Sequence, residues 1–390
     1  MYKAHSRGSY AIGRKMKIKL IAAASAMTLM SSSLFADSIK YPKSKEVFQV
    51  DNYHGVEVKD PYRWLEDDVR ESNDVANWVE AQNKVTFSYL DQIKERDAIE
   101  KHLTKLWNYE KFSTPQKVGD HYFYYQNDGL QNQYVLYRVK ELNGKPEVVL
   151  DPNTWSKDGT VALGGRAISP NGRYIAYGIQ DGGSDWRTWK VKDLKTGKVL
   201  DDELNWVKFS GAAWAEDESG FFYSRYPEPA KGEKYQSLNK NMKVYFHKIG
   251  TKQSQDVLVH ERTDKPDWGF SAEVTDDGKY LFITTWVGTD SRYRIEYKDL
   301  TNKSAEVVTL VDDFVADYQL VGNIGSKFYF KTTLNAAKGQ ILSVDLANFE
   351  TGKTPKWQSV IEETDNVLQG ANLEGGHIVA SYLKDARTLV

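Results

Sequence analysis

The sequence predicts an all-β propeller preceded by an α-helical segment, on three observations. From about residue 113 onward one pattern recurs: a Gly turn, an aromatic strand, a variable loop, a second strand and a polar turn. The turn glycines are Gly119, Gly172, Gly220, Gly278, Gly325 and Gly375, separated by 53, 48, 58, 47 and 50 residues. The chain also holds 24 Tyr, 15 Phe and 11 Trp, an ample supply of side chains that favour strands. A β repeat of about fifty residues is the period of propeller blades, each a four-stranded sheet that buries its faces only against its neighbours. A β-sandwich has no reason to keep one period through six units. At this period, residues 113–390 hold about 5.4 units, so the ring reads as unfinished.

The second strand of each unit keeps step with its glycine. Val139, Val191, His247, Tyr297 and Val344 follow by 20, 19, 27, 19 and 19 residues, and the outlier follows an insertion at 225–232. The chain ends at Arg387-Thr388-Leu389-Val390, with no terminal turn signal. Before the repeats, Val75, Val79, Gln82, Val85 and Tyr89 recur at helical steps, as do Ile99, Leu103, Leu106 and Trp107. Ser72-Asn73-Asp74 supplies capping residues, and Asp60-Pro61-Tyr62-Arg63-Trp64-Leu65-Glu66 reads as a turn into a short helix. The expected organisation is an upstream and signal segment at 1–36, a helical segment at 37–112 and a partial propeller at 113–390.

Composition narrows the function. With 52 basic and 54 acidic residues the net charge is −2, which gives no field for gripping nucleic acid. Cys is absent, which removes disulfides, thiolate metal sites and cysteine nucleophiles. Lys15, Lys17 and Lys19 precede an apolar run at 20–30, then a serine run and Leu34-Phe35-Ala36. That order describes a signal peptide at about 16–36, too short to span a bilayer, and implies a periplasmic or secreted product free of the membrane after cleavage.

No residue set declares a reaction. The seven histidines form no metal-binding pair, and His121 and His247 fall in strands as core or channel-lining residues. A Gly-x-Ser-x-Gly nucleophile elbow is absent, as are phosphate-binding glycine loops. Asp151-Pro152-Asn153-Thr154-Trp155 begins like a calcium loop but places Trp155 at a ligand position. Acid pairs such as Asp276-Asp277 and Asp312-Asp313 are hairpin-turn material. No cofactor or metal is expected.

Several strings then carry a family likeness: residues 60–67 (DPYRWLED), 80–85 (EAQNKV), 129–137 (GLQNQYVLY), 150–163 (LDPNTWSKDGTVAL), 183–186 (GSDW) and 207–214 (VKFSGAAW). In this order, from about Tyr41 to Val390, the chain resembles the N-terminal half of a prolyl oligopeptidase. The resemblance implies an α/β-hydrolase domain to which the helical segment belongs, and a seven-bladed propeller, incomplete here, that gates access to the active site. It implies serine-type cleavage of short peptides after proline, with short proline-containing peptides as partners and a monomer when complete. The Ser, Asp and His of the triad lie outside this chain, so no catalytic residue is assigned. Phe209 in VKFSG matches a residue that lines the substrate pocket, and Asp185 in GSDW one that faces the interdomain space. Ordinary blade core for Phe209 and a turn role for Asp185 stay open.

Two readings remain. The chain is the N-terminal region of a secreted post-proline oligopeptidase, inactive alone. Alternatively it is a truncated propeller acting as a non-catalytic peptide- or protein-binding module. The unpacked flanks of an open ring weigh against the second, because exposed apolar area forfeits about 25 cal/mol per Å².

Overall fold

The computed structural model describes residues 39–390, so the segment expected to be a signal peptide lies outside the described residues. The chain divides between Arg96 and Asp97 into two compact units. In the first, strands Val50–Tyr53 and Val56–Lys59 form a hairpin closed by His54 and Gly55, both at positive φ. Arg63 ties this hairpin to the turn that follows by pairing with Asp51 and, at 2.7 Å, with Asp60. Helix α1 (Asn73–Leu90) starts at Ser72, whose side chain accepts from the Val75 amide, as the sequence signal predicts. Val75 is the buried residue of α1, and Trp78 donates to Ser44 at 3.0 Å.

The second unit opens with the larger part of helix α2 (Arg96–Trp107) and continues into six antiparallel sheets in chain order. Blade 1 pairs Lys111–Phe112 and Gln116–Val118 with His121–Asn127, followed by Val135–Val139 and Glu147–Leu150. Blade 2 holds Val161–Ile168, Tyr174–Asp181, Arg187–Asp193 and Val199–Val207. Blade 3 holds Ala213–Trp214, Gly220–Arg225, Lys243–Lys248 and Val257–His260. Blade 4 holds Trp268–Val274, Tyr280–Val287, Arg294–Asp299 and Val308–Val311. Blade 5 holds Tyr318–Ile324, Lys327–Thr332, Gln340–Asp345 and Gln358–Ile361. Blade 6 has three strands, Val367–Glu374, His377–Lys384 and Arg387–Leu389.

Period-two alternation explains the stacking, because each blade sends successive side chains to opposite neighbours. Phe221 packs with Trp189, Val207 and Tyr223 towards blade 2, whereas Phe222 packs with Phe270, Leu281 and Ile283 of blade 4. Phe282 then turns the other way, to Phe328 and Phe330 of blade 5. Each such aromatic or aliphatic side chain contributes about 1.5–3 kcal/mol on burial. Polar contacts add register between blades: Trp214 Nε1 donates to the Ala167 carbonyl at 3.0 Å and Asn323 Nδ2 to Asp277 at 3.0 Å.

Four points differ from the sequence reading. The described residues form six blades, the last with three strands, where the family resemblance implies seven. The final residues are not a loose end: Asp385 and Ala386, both at positive φ, make a tight turn that returns Arg387–Leu389 onto the sheet. Gly220 is not a turn glycine; it opens a strand, and a Cβ there would lie 2.1 Å from the His247 carbonyl oxygen. Strand pairing in blade 1 also begins at Lys111, two residues ahead of the expected start at 113.

Candidate functional site: an aromatic cleft between blades 3, 4 and 5

A cleft of about 580 Å³ opens where the connection into blade 3, the strand-linking loop of blade 4 and the first strand of blade 5 meet. Phe209, Trp286, Tyr293, Tyr318 and Leu320 give its apolar wall, and Ser271, Glu273, Thr284, Thr289 and Asp290 its polar groups. The wall is built by strand register. Gly269 pairs with Trp286 and Ser271 with Thr284, so their side chains share one face. Only a glycine at 269 leaves room for the indole, since a Cβ there would come within 2.2 Å of Trp286 Cζ2. The opposite face of the same strand, Phe270, Ala272 and Val274, packs into the core with blade 3.

Phe209 meets Trp286 edge to face, with ring centroids 6.2 Å apart and planes at 82°. It holds that position with φ +55, in the left-handed region that aromatic residues rarely occupy. Its neighbour Lys208 is buried, its ammonium 3.8 Å from the Trp186 ring centre and 3.0 Å from Asn239 Oδ1. Burial pushes the Lys208 amine down, partly offset by the charge of Asp185. Thus the two residues singled out in the sequence part company: Phe209 is on the cleft wall, while Asp185 is exposed on the turn before Arg187–Asp193 and outside the lining.

Trp286, Ser271 and Glu273 had no place among the sequence candidates. A signal for them exists in Trp268-Gly269-Phe270-Ser271-Ala272-Glu273-Val274, where small and polar residues alternate with apolar ones inside a stack buried on both faces. In such a stack a polar face marks a cavity.

The lining of the cleft contains no histidine beside its serines. Among the described residues no histidine ring is hydrogen-bonded to a serine hydroxyl, and no group of metal-ligating side chains is gathered. His247 is wholly buried, with Nδ1 2.7 Å from Asp256 and Nε2 2.9 Å from Asp202. Burial pulls its imidazole down, but the hydrogen bonds and charges of the two carboxylates outweigh this and raise it to about 9. Tyr223 completes the cluster by donating to Asp256 at 2.6 Å, and burial followed by that carboxylate drives its phenol upward. These groups are locked into the boundary between blades 2 and 3.

Fold and cleft therefore define a β-propeller domain with an aromatic-walled cavity between its blades. Residues 42–390 match the family model for the prolyl oligopeptidase N-terminal β-propeller domain. The chain is 40% identical over 370 residues to a prolyl endopeptidase of Elizabethkingia miricola, covering 95% of this chain and 51% of that protein. It is 32% identical over 390 residues to a dual function macrocyclase-peptidase of Galerina marginata, covering 92% and 52%. Among solved structures it resembles one from a structural and mechanistic analysis of two prolyl endopeptidases, with TM-score 0.66 and 39% identity, covering 89% of this chain and 49% of that one. It also resembles prolyl oligopeptidase B from Galerina marginata bound to a 25mer macrocyclization substrate, with TM-score 0.76 and 30% identity, covering 89% and 52%. The chain belongs to the prolyl oligopeptidase family, a family of peptidases, and carries its N-terminal propeller half. It spans about half the length of the curated relatives it matches.

Proposed function

We propose that this chain is the substrate-admitting half of a secreted serine oligopeptidase that cleaves short peptides after proline. The observation that carries this reading is the Phe209–Trp286 cleft, an aromatic-walled cavity roomy enough for a short peptide segment in a chain whose relatives are prolyl endopeptidases. On this reading Phe209 contacts the peptide beside the scissile bond, and Asp185 works at the domain boundary through Lys208. Ser, His and Asp of the remaining half supply the nucleophile, the proton carrier and the orienting carboxylate. The propeller restricts entry to short peptides, and the whole protein acts as a monomer after signal removal.

Two exposed surfaces support a larger whole. Ile99, Leu103, Leu106 and Trp107 of α2 are all more than half exposed, which suits a helix that packs on a hydrolase domain. Val367, Val379 and Leu383 are exposed on one face of blade 6, which suits a seventh blade. The test is an assay of the purified 390-residue chain on a Gly-Pro reporter peptide, beside the longer protein that contains it. Cleavage only by the longer protein is expected. Inhibitor-sensitive turnover that follows the 390-residue chain through purification overturns the assignment of the triad to the other half.

A further inference from the structure

Glu273 stands in the cleft as a carboxylate without a partner. Neither a hydrogen bond nor an ion pair to it exists among the described residues, although it sits beside Ser271, Thr284 and the Phe209–Trp286 wall. The other acid of the lining, Asp290, is already taken up by Arg292 at 2.9 Å. Lys208, next to Phe209 in sequence, has its ammonium engaged on Trp186 and Asn239. The protein around Glu273, and then the charge of Asp276, push its carboxyl up from the usual carboxylate range. Glu273 nevertheless keeps solvent-accessible surface, so an incoming group can reach it.

A lone carboxylate in an aromatic-walled cleft matches one chemistry, a cation on a hydrocarbon stem. The stem lies along the aromatic faces, which themselves attract cations, and the charged tip meets the carboxylate. We propose that Glu273 makes the cleft selective for peptides that present an ammonium or guanidinium group there, from a Lys or Arg side chain or from a free N-terminus. This deepens the oligopeptidase reading and rests on it. Glu273 is then a specificity-determining residue that touches the peptide away from the scissile bond.

The test uses the longer protein that contains this chain and a set of N-acetylated proline-containing hexapeptides. One carries Lys two residues before the proline, one norleucine there, and one Glu; a fourth is the norleucine peptide with a free N-terminus. Cleavage of the Lys peptide with kcat/KM about fivefold or more above the norleucine peptide is expected, falling as salt is raised. Preference for the fourth peptide instead identifies the N-terminus as the source of the cation. Glu273→Gln should erase the preference, bringing kcat/KM for the Lys peptide to that of the norleucine peptide measured on the same variant, and Glu273→Lys should turn it towards the Glu peptide. Equal cleavage of all four peptides by the unaltered protein overturns the role of Glu273 while leaving the peptidase reading intact. Cleavage of none overturns both. The salt dependence and the peptide series need no variant, so a misfolded substitution does not rescue the proposal.

Discussion

His247 Nε2 lies 2.9 Å from Asp202 Oδ1 across the boundary between blades 2 and 3, with both side chains fully buried. Asp202 also accepts from the Gly250 amide at 2.6 Å, and Asp256 holds the other ring nitrogen. The folded imidazole is raised to about 9 from 6.5, so folding binds a proton that the unfolded chain releases earlier. The stability this gives is complete below about pH 6.5 and is lost as pH rises through about 9. A shift of this size corresponds to about 3 kcal/mol. Thermal melts from pH 6 to 10 should therefore show a falling midpoint over that window. His247→Gln should lower stability at pH 6 and flatten the profile; a wild-type midpoint that is constant across the window rules this linkage out.

Phe209 predicts a separation of stability from binding. An aromatic residue at φ +55 costs about 1–2 kcal/mol relative to glycine. Its ring returns about 0.5–1.5 kcal/mol through the edge-to-face contact with Trp286. Phe209→Gly should then melt within about 1 kcal/mol of the parent, while Phe209→Ala, which keeps the strain and loses the ring, should be the less stable of the two. In the longer protein both variants should lose activity on short proline peptides by raising KM. Differential calorimetry on the pair decides the stability order.

Much of this architecture is readable before any coordinates, because a propeller writes its period into its turns and its blade stacking into alternate aromatics. The Phe221-Phe222 pair and the Tyr280–Ile283 run show it: each neighbour faces a different blade. Blade 6 was harder to read because its last turn is Asp385-Ala386, which lacks the glycine that usually announces φ > 0. Gly220 misled for the converse reason, since steric closeness to His247 rather than turn geometry requires it. The cleft was the least visible feature. Phe209 stood out through a family string, but Trp286 and Glu273 come from a different blade, and only strand register brings them to the same wall. Sequence distance hides such a meeting, and no short motif records it.

The Asp385-Ala386 turn makes its own prediction. Ala386 sits at φ +58, where its Cβ crowds the backbone by about 1 kcal/mol. Glycine at that position removes the crowding, so Ala386→Gly should tighten the hairpin that pairs Lys384 with Arg387 and Tyr382 with Leu389. The gain is local, and amide hydrogen exchange is the measurement that sees it. Slower exchange in the strands of blade 6, with little change in blades 1–4, is expected; faster exchange there would show that the turn is already relaxed.

Arg294 offers the largest single effect. It is buried in blade 4, donates to Glu296 at 3.0 Å, pairs with Asp312, and lies 4.6 Å from the Trp268 ring centre. Glu296 is equally buried, and burial pushes its carboxyl up even with Thr285 donating to it at 2.7 Å and Arg294 beside it. Arg294→Met removes the compensating charge and should cost about 3–5 kcal/mol at neutral pH. The loss should shrink as pH falls and Glu296 takes up a proton, and Glu296→Gln in the same chain should recover a large part of it. His260 reports the same event. Its ring is held down to about 4 by burial and then by Arg262 and Arg294, with Nε2 3.9 Å from Glu296. In Arg294→Met the imidazole should titrate at higher pH, seen by NMR of the ring protons. An unchanged His260 titration together with a loss below about 1 kcal/mol would mean that Asp312, at the exposed end of the cluster, and not Glu296 is the partner that matters to Arg294.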